Sequence, residues 1–235
     1  MIKPSPLQRI ALALTVLALA SAAMADPTSK RQKQLDRALG TSLYKGDVAG
    51  AAEALRKGAN PNTYDTHFYA GKQPLILLLL ESTARGKVRL QLAALLLSWG
   101  ANPNQRTRSD TAVHLAHHLG DEDYRAMIDL LVAKGADINQ RGWRGETPLH
   151  QAACFGRTEQ MAVLLSHNAD VRAKDAYGRT PRQVAADFGH LNEYQRAQAR
   201  SRWLLVARRA ALKRAMDLKP ENRDRSRQSR KRARR

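Results

Sequence analysis

"GWRGETPLHQAACFG", running from Gly142 to Gly156, decides how this chain is read. Taken as chemistry, it brings a hydroxyl (Thr147), an imidazole (His150) and a thiol (Cys154) close together, the ingredients of a nucleophilic site. Taken as architecture, Thr147 is an N-cap whose hydroxyl accepts from a free N–H of the first helical turn. Pro148 follows at the position where a missing N–H costs nothing. "LHQAACFG" then predicts a short helix closed by Gly156, which can adopt the left-handed conformation of a helix end. The next segment, "TEQMAVLLSHN" (Thr158 to Asn168), sets Met161, Leu164 and Leu165 on one face at helical spacing. One such helix pair cannot bury its apolar face alone; stacked neighbours can.

Neighbours of the same kind are present. "KGANPN" (Lys57 to Asn62), "WGANPN" (Trp99 to Asn104), "KGADIN" (Lys134 to Asn139) and "HNADVR" (His167 to Arg172) recur with spacings of 42, 35 and 33 residues. Between them lies a second series: "KQPLI" (Lys72 to Ile76), "DTAVH" (Asp110 to His114), "ETPLH" (Glu146 to His150) and "RTPRQ" (Arg179 to Gln183). A period of about 33 residues carrying a T-P-L-H phrase resembles the ankyrin-repeat family. The resemblance runs from about Lys30 to Trp203 and is most specific from Arg141 to Arg172.

It implies an all-α repeat solenoid of helix-turn-helix units with β-hairpin fingers between the pairs. Residues 26–203 form the repeat domain, with five units at about 30–62, 63–104, 105–139, 140–172 and 173–203. The first lacks the T-P-L-H phrase and is polar along "SKRQKQLDR", as an N-terminal cap requires. The fifth degenerates after His190 into a long helix, 191–217, where Trp203, Leu204, Leu205 and Val206 are expected to seal the stack.

The N-terminal segment reads as an address. Lys3 and Arg9 precede the apolar run "IALALTVLALA" (Ile10 to Ala20), and "AMA" (Ala23 to Ala25) offers the small residues of a cleavage site. Residues 1–25 are therefore expected to be a signal peptide cleaved after Ala25, giving a periplasmic or secreted protein. The single cysteine, Cys154, leaves no internal disulfide for that compartment.

Charge is concentrated at the other end. The chain carries a formal +19, of which Tyr194 to Arg235, with 16 basic and 3 acidic residues, supplies +13. Residues 218–235 are almost devoid of apolar side chains and are expected to be a disordered basic tail. Arg225, Arg227, Arg230, Lys231, Arg232, Arg234 and Arg235 could hold an anionic polymer such as nucleic acid or an acidic envelope component. "RKRARR" also resembles a nuclear-import signal, as an effector delivered to a host would need. The bland reading is a solubilising tail. Binding of the long helix to a membrane surface ranks lower, because its apolar face is expected to be committed to the stack.

Catalysis finds little support. His114 and His118, four apart in "HLAHHLGDED", share a helix face, but no third metal ligand stands at a fixed spacing. His114 also falls where His150 sits in the repeat phrase, which assigns it to bonding between loops. Cys154 has only Arg157 as a close cation, so a packing role is favoured over a reactive thiol. Neither a phosphate-cradling glycine loop nor a paired-carboxylate arrangement appears in the sequence, and no cofactor, metal or small-molecule substrate is expected.

The family resemblance implies a protein partner held by finger tips and by the concave face of the first helices. Matched unit by unit, the tips carry Arg106 and Arg108, then Arg141, Trp143 and Arg144, then Tyr177 and Arg179. The first helices end in Leu119, Phe155 and Phe188, with Glu81 in the equivalent place. Phe155 and Phe188 are equally well read as packing between repeats. Trp143 is the leading candidate, since a hairpin tip has little core to enter. The second unit has a longer finger, "TYDTHFYAG" (Thr63 to Gly71), which adds Tyr64, Phe68 and Tyr69 as candidates or as cover for the N-terminal cap.

Overall fold

Short turns break the chain into helices at the places the repeat phrases mark. The computed structural model describes residues 30–65, 73–82, 84, 86–107 and 110–217. Residues 1–25, expected to be a signal peptide, residues 218–235 with the seven candidate cations, and Phe68, Tyr69 and Arg108 lie outside the described residues. Two compact units are present: one ends at Ala116 and takes in Asp129–Ala136, and the other comprises His117–Ile128 and the chain from Asp137.

The first unit opens with α1 (Lys30–Lys45) and α2 (Val48–Arg56). Asp47 caps α2, its carboxylate accepting from the Gly50 N–H at 2.9 Å. Leu39 and Leu43 of α1 pack with Ala51 and Leu55 of α2, while the Lys- and Arg-rich outer side of α1 stays in solvent. A two-residue hairpin, β1 (Tyr64–Asp65) and β2 (Gln73–Pro74), pairs antiparallel with Tyr64 opposite Pro74. It leads into α3 (Leu75–Glu81), whose "LILLLL" is apolar all round and buried all round, no residue more than 6% exposed. α4 (Gly86–Ser98) adds Leu92, Ala93 and Leu96 to the same core, and α5 (Ala112–Leu115) buries Ala112 and Val113.

The recurring asparagines of the loop phrases turn out to be staples. Asn62 Nδ2 donates to the Gly100 carbonyl at 2.8 Å, and its Oδ1 accepts from the Asn102 N–H at 2.6 Å. Asn104 repeats the contact on the Gly135 carbonyl at 2.9 Å. In the second unit Asn139 accepts from the Asp170 N–H at 2.7 Å. Each amide thus satisfies main-chain groups that the turn after a helix leaves without partners.

Helix α6 (Asp121–Ala133) follows in the chain. The second unit continues with α7 (Pro148–Cys154), α8 (Thr158–Ser166), α9 (Pro181–Asp187) and α10 (Leu191–Asp217). Met161, Val163 and Leu164 of α8 are buried together with Leu149, Ala152 and Ala153 of α7. Gly156 closes α7 at φ +63° as the sequence predicts, and a Cβ there would lie 2.7 Å from the His190 ring. Asn168 takes the left-handed role at φ +63° that glycine fills in the other loops.

Two expectations need correction. The later fingers are shorter than the hairpin of the second: the third is a single bridge, Thr107 with Asp110, and the fourth is a 3-10 turn over Trp143–Gly145. The long helix also docks differently. Tyr194, Ala197, Ser201 and Leu204 face the unit's core, whereas Trp203 is 64% and Val206 65% exposed. At about 100° per residue, four consecutive apolar residues cannot all face one way, and Leu204 and Ser201 take the inward side. Among the described residues, no helix is long and apolar enough to cross a membrane.

Candidate protein-binding surface on the fourth and fifth fingers

The fourth finger is fixed by its own backbone. The Gly142 N–H donates to the Glu146 carbonyl at 2.6 Å, and Arg144 is left-handed at φ 57°. A non-glycine residue in that region costs on the order of 1 kcal/mol, so neighbouring contacts must hold it there. They come from the fifth finger: the Ala176 N–H donates to the Arg144 carbonyl at 2.8 Å. Arg141 Nη1 reinforces the join by donating to the carbonyls of Lys174 and, at 3.4 Å, of Gly145.

The fifth finger folds around Asp175, which is only 5% exposed. Its carboxylate accepts from the backbone N–H groups of Tyr177 and Arg179 at 2.9 and 2.8 Å, and from Arg179 Nε at 3.0 Å. Burial by itself would raise the Asp175 pKa; the hydrogen bonds from Arg179 and Tyr177 outweigh it and hold the carboxyl below its ordinary value. Arg179 also reaches Asp187 at 3.3 Å.

With the fingers joined, four side chains form a row. The Arg144 guanidinium lies 3.9 Å from the centre of the Trp143 ring and 5.9 Å from that of Tyr177. Arg179 covers Tyr177 at 5.0 Å. Trp143 and Tyr177 nevertheless remain 60% and 62% exposed. Cation–π contacts of this kind hold aromatic rings in place without burying them.

Phe155 and Phe188 stand at equivalent ends of the neighbouring helices α7 and α9 and are 55% and 52% exposed. The reading that packs them between repeats is therefore set aside. Phe155 stacks parallel to the His117 ring, with centres 5.8 Å apart. Leu119 is buried and has no place on this surface. Arg106 and Tyr64 are exposed, but both belong to the first unit. Arg141 and Arg179 are both engaged in building the fingers, and Arg179 also covers Tyr177 in the row.

The Thr–His–Cys stretch is structural. His150 is 1% exposed and its Nδ1 accepts from the Thr147 N–H at 3.2 Å, with Thr147 Oγ1 2.8 Å away. Its Nε2 lies 2.9 Å from the Arg179 carbonyl. A carbonyl only accepts, so the proton sits on Nε2 and the ring is neutral. Burial lowers the His150 pKa, with the Arg179 carbonyl opposing the shift. Thr111 and His114 repeat the arrangement, Oγ1 to Nδ1 at 2.9 Å, and Thr180 with Gln183 makes an equivalent box. The Cys154 thiol is pushed up by burial, away from the thiolate that nucleophilic chemistry needs. Among the described residues, no group of three His, Cys, Asp or Glu side chains is placed to hold a metal.

What the sequence reading missed is the division of labour among the arginines and the stapling asparagines. The asparagines were visible as the last letter of three loop phrases. Nothing local marked Arg141 as a finger support, because the Lys174 carbonyl it binds lies 33 residues on; for Arg179, Asp175 four residues before it was the available signal.

Residues 79–175 and 122–195 match the family described as ankyrin repeats, in three copies. Over 132 residues, or 55% of this chain, the sequence is 32% identical to inversin of Gallus gallus, and it spans 11% of that protein's length. The capped helix pairs, the left-handed loop residues and these matches agree: the chain carries ankyrin repeats through residues 79–195.

Proposed function

We propose that the chain is a non-enzymatic protein-binding module of the periplasm, a five-unit repeat stack exported by cleavage after Ala25. Its partner rests on the row Trp143, Arg144, Tyr177 and Arg179, with Phe155 and Phe188 extending the contact. The supporting observation is that row: two exposed aromatic rings and their guanidinium covers, held by main-chain bonds before any partner arrives. Trp, Tyr and Arg dominate binding energy at protein interfaces. Rings already fixed lose little freedom on docking. The carrier of the alternative reading is the concentration of +13 between Tyr194 and Arg235. It would make the chain an adaptor for an anionic polymer, or an effector with a nuclear-import-like tail.

The test is affinity capture by residues 26–235 from envelope extract, with nuclease and moderate salt, followed by titration of the purified partner. Trp143→Ala and Tyr177→Ala are each expected to weaken binding about 30-fold, corresponding to about 2 kcal/mol. Deleting residues 218–235 is expected to leave the Kd unchanged. Unchanged affinity in both finger variants would remove the site assignment, and loss on tail deletion would move the function to the tail.

A further inference from the structure

The outward face of α10 remains unused by the repeats. Ala199, Trp203, Val206, Ala207 and Ala210 are all exposed. At about 100° per residue they fall within roughly one third of the helix circumference, opposite Tyr194, Ser201 and Leu204 on the docked side. Exposed Arg202, Arg209 and Lys213 line one flank of this stripe. Arg200 lies on the other, paired with Glu159 of α8, and Arg196 stands at its N-terminal end, 3.9 Å from Glu193. Between Tyr194 and Met216 the sequence has no acidic residue.

The helix is therefore amphipathic twice over. One stripe is committed to α8 and the core, and a second, carrying a Trp and a Val at more than 60% exposure, faces solvent between cations. From these placements we infer that the outer face of α10 docks on an anionic phospholipid surface, lying parallel to it. Trp203 and Val206 enter the boundary between headgroups and acyl chains, while the flanking Arg and Lys side chains extend to lipid phosphates.

Charge complementarity selects this occupant. A neutral surface would leave the flanking cations without counter-charge. Nucleic acid would meet them, but it gains nothing from Val206 and the alanine methyls, and a lone Trp is a poor stacking platform. Trp is suited to a lipid interface because its ring is apolar and its indole N–H stays hydrated. This surface is separate from the fingers, so it stands or falls independently of the proposed protein partner.

The measurement is co-sedimentation of residues 26–235 with phosphatidylethanolamine vesicles, with and without phosphatidylglycerol. The apolar leader is thereby excluded as a source of binding, and the basic tail is kept. Binding is expected only with phosphatidylglycerol. It should fall about ten-fold or more in Trp203→Ser/Val206→Ser, whose circular dichroism and Tm stay those of the parent because both side chains are exposed. Lipids brominated near the headgroup are expected to quench part of the Trp fluorescence, and Trp203→Phe removes that part while keeping most of the binding. The inference is overturned by any of three results: no vesicle binding; full binding by the double variant with loss on deleting 218–235, which would assign it to tail electrostatics; or protection of Trp203 by an acidic protein or nucleic acid instead of by vesicles.

Discussion

His150→Ala is expected to destabilise the protein by about 3 kcal/mol, measured by urea denaturation. The variant strands the buried Thr147 N–H and removes one of the two hydrogen bonds that the Arg179 carbonyl accepts, the other coming from the Asp175 N–H at 3.0 Å. Each buried group left without a partner costs about 1–3 kcal/mol, and the missing ring adds a cavity. A pH dependence follows from the same burial. The folded pKa of His150 lies below the unfolded value of about 6.5, so the unfolded chain takes up the proton first. The stability His150 contributes is present in full above about pH 6.5 and is lost as the pH falls through the folded pKa. Wild type should therefore lose stability on mild acidification more steeply than His150→Ala. Asp175 acts in the same direction but below its ordinary value of 3.8, so the two windows separate.

The second large effect is expected at Leu164. Its side chain is fully buried in α8, the helix that carries both α7 and the docked stripe of α10. Leu164→Ala is expected to cost about 3–5 kcal/mol through lost burial and the cavity left behind, lowering Tm by roughly 10 °C or more. Leu165 is a control on the adjoining position, since it is only half-buried. Leu165→Ala should cost about 1 kcal/mol in the same thermal scan. Similar losses at both positions would mean that α8 is packed the other way round.

These magnitudes bear on how much the sequence could reveal. The elements were legible where a local signal and a period agreed. Thr147-Pro148 and Gly156 bracket α7 as expected, and Thr180-Pro181 opens α9. The start of α10 was marked by His190 and the loss of repeat pattern. Its outward face was not, because "WLLV" is an unbroken apolar run whose two sides only the helical phase separates. Turning each residue by about 100° separates Trp203 and Val206 from Leu204, and this correction changes the standing of the helix as a surface.

The candidate surface was legible in part. Trp143 is legible because a finger tip has little core to enter, Tyr177 by matching the units, and both are exposed. The local pattern could not show that Arg144 covers Trp143, because that needs the left-handed turn at Arg144. Nor could it show that Asp175 is buried beneath Arg179. Phe155 and Phe188 stood between core and surface in the sequence, since an aromatic at a helix end serves either; their exposure decides it. Thr147, His150 and Cys154 illustrate the converse. Their residue types point to catalysis, but the hydrogen bonds of His150 run to a cap and a carbonyl, and neither ring nitrogen is left for a substrate.

The most direct test of the claim that this stretch is architecture is nitrogen-15 NMR of the His150 imidazole across a pH titration. The account expects the Nε2–H tautomer, with Nδ1 unprotonated and a midpoint below about 6.5. An Nδ1–H tautomer, or a ring titrating at or above its ordinary value, would contradict it and reopen the case for chemistry at Thr147 and Cys154.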